Sequence, residues 1–168
     1  MKNSKTAKKR FNILINTEQS DYREMSASKL NVLSDAPDMD AECEKVEFYT
    51  EGELTLGSDG RFCLSYDESE ITGMEGSVTS VNFNTNEPGL VTLMRTGAFR
   101  MAMVFERGAR HICTYMTPYM PIEMVVVTKK LENNLTESGG ELVCEYSIEA
   151  NGMRCERAKM RLVAKQIL

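Results

Sequence analysis

Residues Glu47 to Gly76 read EFYTEGELTLGSDGRFCLSYDESEITGMEG, and this stretch decides the fold. From Phe48, apolar or small residues fall at every second place: Phe48, Thr50, Gly52, Leu54 and Leu56. Glu47, Glu51 and Glu53 stand between them, with Tyr49 and Thr55. Such alternation predicts a strand with one face in a core and the other in water. Ser58-Asp59-Gly60 supplies a tight turn, because glycine accepts the positive φ that hairpin loops need. Phe62, Leu64 and Tyr66 then alternate with Arg61, Cys63, Ser65 and Asp67. Asp67 to Gly76 is polar with two glycines, which reads as a connection rather than a helix.

Downstream the same plan repeats at the strand spacing of a sandwich or barrel. Val81 and Phe83 mark one strand, and Val91, Leu93 and Arg95 share a face of the next. Phe99, Met101, Met103 and Phe105 line one face of a strongly alternating strand that ends at Arg107-Gly108. His111, Cys113, Tyr115 and Thr117 share a face of the strand after it. Pro118 and Pro121 mark a corner, since neither proline can serve a central ladder. Ile122, Met124, Val126 and Thr128 continue to Leu131, and Leu142, Cys144, Tyr146 and Ile148 follow. Asn151-Gly152 is a strong hairpin signal, and Met160, Leu162 and Ala164 belong to the last strand. No segment shows a capped helical period. The sum is an antiparallel all-β chain of about 8–10 strands, most simply closed into a barrel that leaves no exposed edge.

Upstream, Phe11, Ile13 and Ile15 define a first strand. Residues 1–10 hold Lys2, Lys5, Lys8, Lys9 and Arg10 without an acid, the composition of a disordered basic tail. The barrel domain is then expected over 11–168. Residues 18–44 fit a short strand or an irregular excursion, with Ser26 to Leu33 as the strand candidate. Asp35 to Glu44 reads as an acidic solvated loop without the ligand ladder of a Ca²⁺ site. The chain of 168 residues carries a net charge of −5, which argues against a nucleic-acid binder. It has no apolar run of about 20 residues for a membrane span, and its basic start lacks the apolar core of a secretory signal. Five cysteines without a C-x-x-C pair fit reduced thiols in the cytoplasm. On that ground the sequon Asn134-Leu135-Thr136 is an accidental match.

Several stretches resemble the YwiB-like family of small bacterial proteins of unknown function. They are TEGEL (Thr50 to Leu54), LSYDESEITGMEG (Leu64 to Gly76), Arg95-Thr96-Gly97, VFERG (Val104 to Gly108), HICTYMTPY (His111 to Tyr119) and LENNLTESGGEL (Leu131 to Leu142). The resemblance covers about residues 47–150. It implies a calycin-like β-barrel, related in shape to lipocalins, and no established activity. The chain departs from the family pattern in a longer Ser20 to Glu44 segment and in Met120-Pro121, where a glycine is expected.

Chemistry is sparsely signalled. His111 is the one histidine, and its strand neighbour Cys113 lies two residues on, about 7 Å along a strand, too far for a nucleophile–base contact. No nucleophile-elbow, Walker or dinucleotide motif occurs, and the scattered cysteines predict no metal site and no cofactor. The chain is therefore not expected to be an enzyme. Arg95 shares its face with Val91 and Leu93, so its guanidinium is expected inward with Glu68, Glu70 or an anionic ligand as partner, or else at the rim beside Gly97, reaching water. Tyr66, Tyr115 and Tyr146 also point inward and need hydroxyl partners. The candidate ligand-binding set is Tyr66, Arg95, Met103, Phe105, His111, Tyr115 and Thr117. The expected function is a barrel that holds a small amphipathic or anionic molecule inside. The alternative is a filled barrel that serves as a structural or protein-interaction module. Oligomeric state is not fixed by these patterns.

Overall fold

The computed structural model describes residues 8–21 and 43–168. Ten strands follow in order: β1 (Lys9–Asp21), β2 (Cys43–Leu56), β3 (Phe62–Asp67), β4 (Ser77–Phe83), β5 (Leu90–Gly97), β6 (Met101–Glu106), β7 (Arg110–Met116), β8 (Pro121–Asn133), β9 (Gly139–Ala150) and β10 (Met153–Gln166). A single 3₁₀ turn, Glu70–Thr72, interrupts the β3–β4 connection. The order across the sheet is β6-β5-β4-β3-β2-β1-β10-β9-β8-β7, and every ladder is antiparallel. Each pair is a chain neighbour except β1 with β10, which ties the first strand to the last over Phe11–Asp21 and Glu156–Gln166.

The sheet curls until its edges β6 and β7 meet. They are tied by the turn Arg107 to Ala109 and by one isolated bridge, where Arg100 and Met116 exchange backbone hydrogen bonds of 3.1 and 2.8 Å. The barrel is thus nearly closed, in keeping with the closed barrel expected from the strand pattern. The β6 and β7 edges form a seam, because a regular ladder does not run between them.

Alternation sets the inside. Phe11, Ile13 and Leu64 are almost fully covered, and Val81, Val91, Phe105, Val126, Leu142 and Leu162 expose nothing. A bulge between Thr128 and Lys130 shifts the parity of β8 and turns Leu131 to the inside, as its sequence pattern requires. Asn151, at φ 53°, and Gly152, at φ 77°, form the β9–β10 turn expected from their sequence. β10 begins at Met153, well before the residues that announced it.

Two boundaries differ from the sequence reading. β1 begins at Lys9, so the end of the basic segment is strand rather than tail. Lys8 pairs with Glu53 at 2.9 Å, and Arg10 pairs with Glu51, so acidic residues of β2 hold these cations in place. Residues 18–21 and 43–44 extend β1 and β2. The Ser26 to Leu33 strand candidate and most of the acidic loop lie outside the described residues.

Antiparallel pairing gives the barrel two unlike ends. The lower end gathers the β2–β3, β4–β5, β6–β7 and β8–β9 turns with the start of β1. Leu135 plugs it at 4 % exposure. The plug is held by Asn134 N–H donating to Glu141 O at 2.9 Å and by paired hydrogen bonds between Thr136 and Gly139. Gly140 sits at φ 135°, and a Cβ there would lie 2.1 Å from Asn134 O. No other residue fits that approach.

Candidate functional site

The upper end gathers the end of β3, the start of β4, the end of β5, the starts of β6 and β8, and the end of β9. Arg95, near the end of β5, does point inward, and its side chain is 9 % exposed. Its charge is met within the fold. Nη2 lies 3.2 Å from Glu68 Oε1, Nε donates to Thr79 Oγ1 at 3.0 Å, and Nη1 approaches Met101 Sδ at 3.8 Å. Glu68 is itself fully engaged. Thr79 donates to its Oε1 and Thr72 to its Oε2, the latter at 2.9 Å. The Glu68 N–H also donates to Ser77 O at 2.9 Å. That bond carries the β3–β4 ladder one residue further and keeps Glu68 on the inward parity.

Tyrosines surround this pair. Tyr66 packs on Phe48 with ring centroids 6.2 Å apart, and Tyr146 packs on Phe105 at 4.9 Å. Burial pushes both phenols well above their usual range. Glu68 adds to this at Tyr66 and Cys144 at Tyr146, while the Arg95 charge opposes it at both. Tyr115 stacks on Phe99 at 6.1 Å and stays half-buried, its phenol raised by burial. Met101, Met124 and Ile148 are partly buried against the same core.

The residues proposed from sequence therefore separate. Tyr66, Arg95 and Tyr115 come together at the upper end. Met103 (5 % exposed) and Phe105 belong to the buried core. Thr117 lies in the β7–β8 turn, where its hydroxyl donates to Met120 O at 2.8 Å and accepts from the N–H groups of Tyr119 and Met120. His111 sits at the lower end with Nε2 2.9 Å from Glu106 Oε2. Cys113 is 3 % exposed, and burial pushes its thiol up, the opposite of an activated thiolate. Thr79 and Ser77 escaped the sequence reading, although the parity of Val81 and Phe83 already places them inside. Among the described residues no group of three or more His, Cys, Asp and Glu side chains is arranged to hold a metal ion. Among them also, no helix is long and apolar enough to cross a membrane.

Ten antiparallel strands among the described residues, a plugged lower end and a paired interior define a β-barrel protein. The chain belongs to the family described as "Domain of unknown function (DUF1934)", whose model matches residues 30–162. It is 28% identical over 109 residues to the "Uncharacterized beta-barrel protein YwiB" of Bacillus subtilis (strain 168), covering 65% of this chain and 72% of that one. The crystal structure of the ywiB protein from Bacillus subtilis matches with a TM-score of 0.67 at 20% identity, over 95% of this chain and 94% of that chain. That likeness shows the fold.

Proposed function

We propose that this protein is a filled β-barrel that acts through its outer surface as a protein-interaction module in the cytoplasm. One observation carries the reading: the inward cation that an anionic ligand would use is already neutralised by Glu68 and bonded to Thr79. A buried guanidinium with a buried carboxylate is a structural pair, and a second anion there would leave excess negative charge in a poorly solvated place. The middle layers support it, since side chains with no exposure leave no water-sized space against them. The thiols of Cys43 and Cys155 are free and exposed, which supports a reducing compartment.

A second reading keeps a small amphipathic ligand at the upper end only. The half-buried ring of Met101, Tyr115, Met124 and Ile148 favours it, because methionine and tyrosine make adaptable apolar walls with polar handles. Titration with anilinonaphthalene sulfonate separates the two. The filled barrel gives no saturable fluorescence rise. A saturable rise that Met124→Lys abolishes would replace it with the ligand reading.

A further inference from the structure

The upper end of the barrel presents apolar tips to water. Ile71, on the 3₁₀ turn, is 65 % exposed, and Tyr119 and Met120, on the β7–β8 turn, are 94 and 61 % exposed. Met116 and Ile122, which flank that turn, are exposed as well. The turn holds its tips out on a fixed backbone. Pro118 and Pro121 set two of its φ angles, and the Thr117 hydroxyl joins Met120 O to the N–H groups of Tyr119 and Met120. A backbone fixed in this way loses little further freedom on binding.

Three turns make one surface. Phe99 N–H donates to Ser77 Oγ at 3.1 Å, which ties the β5–β6 turn to the start of β4. Gly97 comes so close to the β3–β4 connection that a Cβ on it would lie 2.4 Å from Gly76 O. The Arg100–Met116 bridge and the Phe99–Tyr115 stack tie the same turn to β7. The arc from Ile71 to Met120 is therefore continuous, and its charge is mostly of one sign. Asp67, Glu70, Glu75 and Glu123 are exposed, and none forms an ion pair with another described residue. Against them the arc sets one base, Arg100, since Arg95 is held by Glu68.

Apolar tips within an acidic rim have the anatomy of a protein interface. We propose that this arc docks a basic amphipathic segment of a partner protein. Charge complementarity selects that occupant. Anionic lipid, nucleic acid and a second copy of this chain, at −5, all bring the sign already present. Residues 22–42, which join β1 to β2 at this end, bring it too, with Glu24, Asp35, Asp38, Asp40 and Glu42 against Arg23 and Lys29. Lysine or arginine on one face of the segment answers Glu70 and Glu75, and leucine-sized side chains on the other answer Ile71, Tyr119 and Met120. Methionine adapts to such a face, and an exposed tyrosine anchors it.

The inference rests on the surface reading above and names the chemistry of its partner. Fluorescence anisotropy on the full chain tests it. The probe is a labelled amphipathic helix of leucine and lysine, and the control is the same helix with glutamate for lysine. Saturable micromolar binding of the lysine helix alone is expected. Tyr119→Ser with Met120→Ser, and separately Glu70→Lys, are expected to weaken it about tenfold or more. Glu87→Lys makes the same charge change on the exposed β4–β5 turn at the lower end and is expected to leave it unchanged. All these side chains are exposed, so the far-ultraviolet strand signal should persist in every variant. A lysine helix that does not bind, a glutamate helix that binds equally, or equal losses in Glu70→Lys and Glu87→Lys overturns the proposal. So does capture of the protein by phosphatidylcholine vesicles that Met120→Ser abolishes, which would make the tips a lipid contact. None of these results touches the filled interior, which fails separately if a small-molecule adduct appears in native mass spectra of the same protein.

Discussion

Glu68 and Arg95 form a buried ion pair at the upper end of the barrel, with Oε1 and Nη2 3.2 Å apart and side chains only 2 and 9 % exposed. β5 supplies the cation and the β3–β4 connection supplies the carboxylate. Thr79, on the strand between them, bonds to both. Breaking such a pair leaves an uncompensated buried charge, which costs about 3–5 kcal/mol. Glu68→Gln is expected to lower stability by that order in urea unfolding. The double variant Glu68→Gln/Arg95→Met is expected to recover most of it. A double variant no better than the single one would refute the pairing.

Thr128 carries the opposite kind of defect. It is 1 % exposed, and among the described residues its hydroxyl has no hydrogen-bond partner. Thr128→Val keeps the shape and removes the unpaired group, so a gain of about 1 kcal/mol is expected. Its readout is the midpoint of urea unfolding at constant slope. An unchanged or lower midpoint would mean that the hydroxyl is satisfied in solution.

Stability falls at alkaline pH for a named reason. Tyr66 and Tyr146 have phenols raised above their ordinary value of 10.0, and burial pushes the Cys144 thiol from 9.0 up to about 12. A raised acid binds its proton more tightly folded than unfolded. The stabilisation is therefore full below the unfolded value and lost as pH rises through the folded one. The melting temperature is expected to hold to about pH 9 and fall above it, with a shallower slope in Tyr146→Phe. Phenolate absorbance should show Tyr66 and Tyr146 ionising only with unfolding. A full tyrosine titration of the native protein would contradict this.

Gly140→Ala tests the lower plug. The substitution meets both a positive φ and the Asn134 carbonyl, so it is expected to cost at least about 2 kcal/mol, or roughly 5 °C of melting temperature. Gly89→Ala has open space around it and no such φ, and should be neutral. Equal effects at the two sites would show that the plug does not hold the lower end.

Much of this was written in the chain. The alternation of Phe48 to Leu54 and of Met101 to Phe105 fixed which faces are wet, because parity is a local property of a strand. The same parity turned Arg95 inward and offered Glu68 or Glu70 as its partner. The choice between them lies in the hydrogen bond from Glu68 to Ser77, which extends the β3–β4 pairing and leaves Glu70 on the exposed 3₁₀ turn. Parity says nothing of height along a strand, and for that reason His111 and Arg95, both facing inward in the pattern, lie at opposite ends. The seam between β6 and β7 has no local signal either. Arg107-Gly108 announces a hairpin, and the turn does form, but closure depends on the curl of the whole sheet.

Native mass spectrometry of protein purified gently from its own host tests the central claim most directly. The filled barrel predicts the bare mass of the chain, whatever its assembly state, with nothing released when the protein is unfolded. A stoichiometric small molecule that is present in the native spectrum and lost on denaturation would contradict it and return the upper end to the role of a binding site.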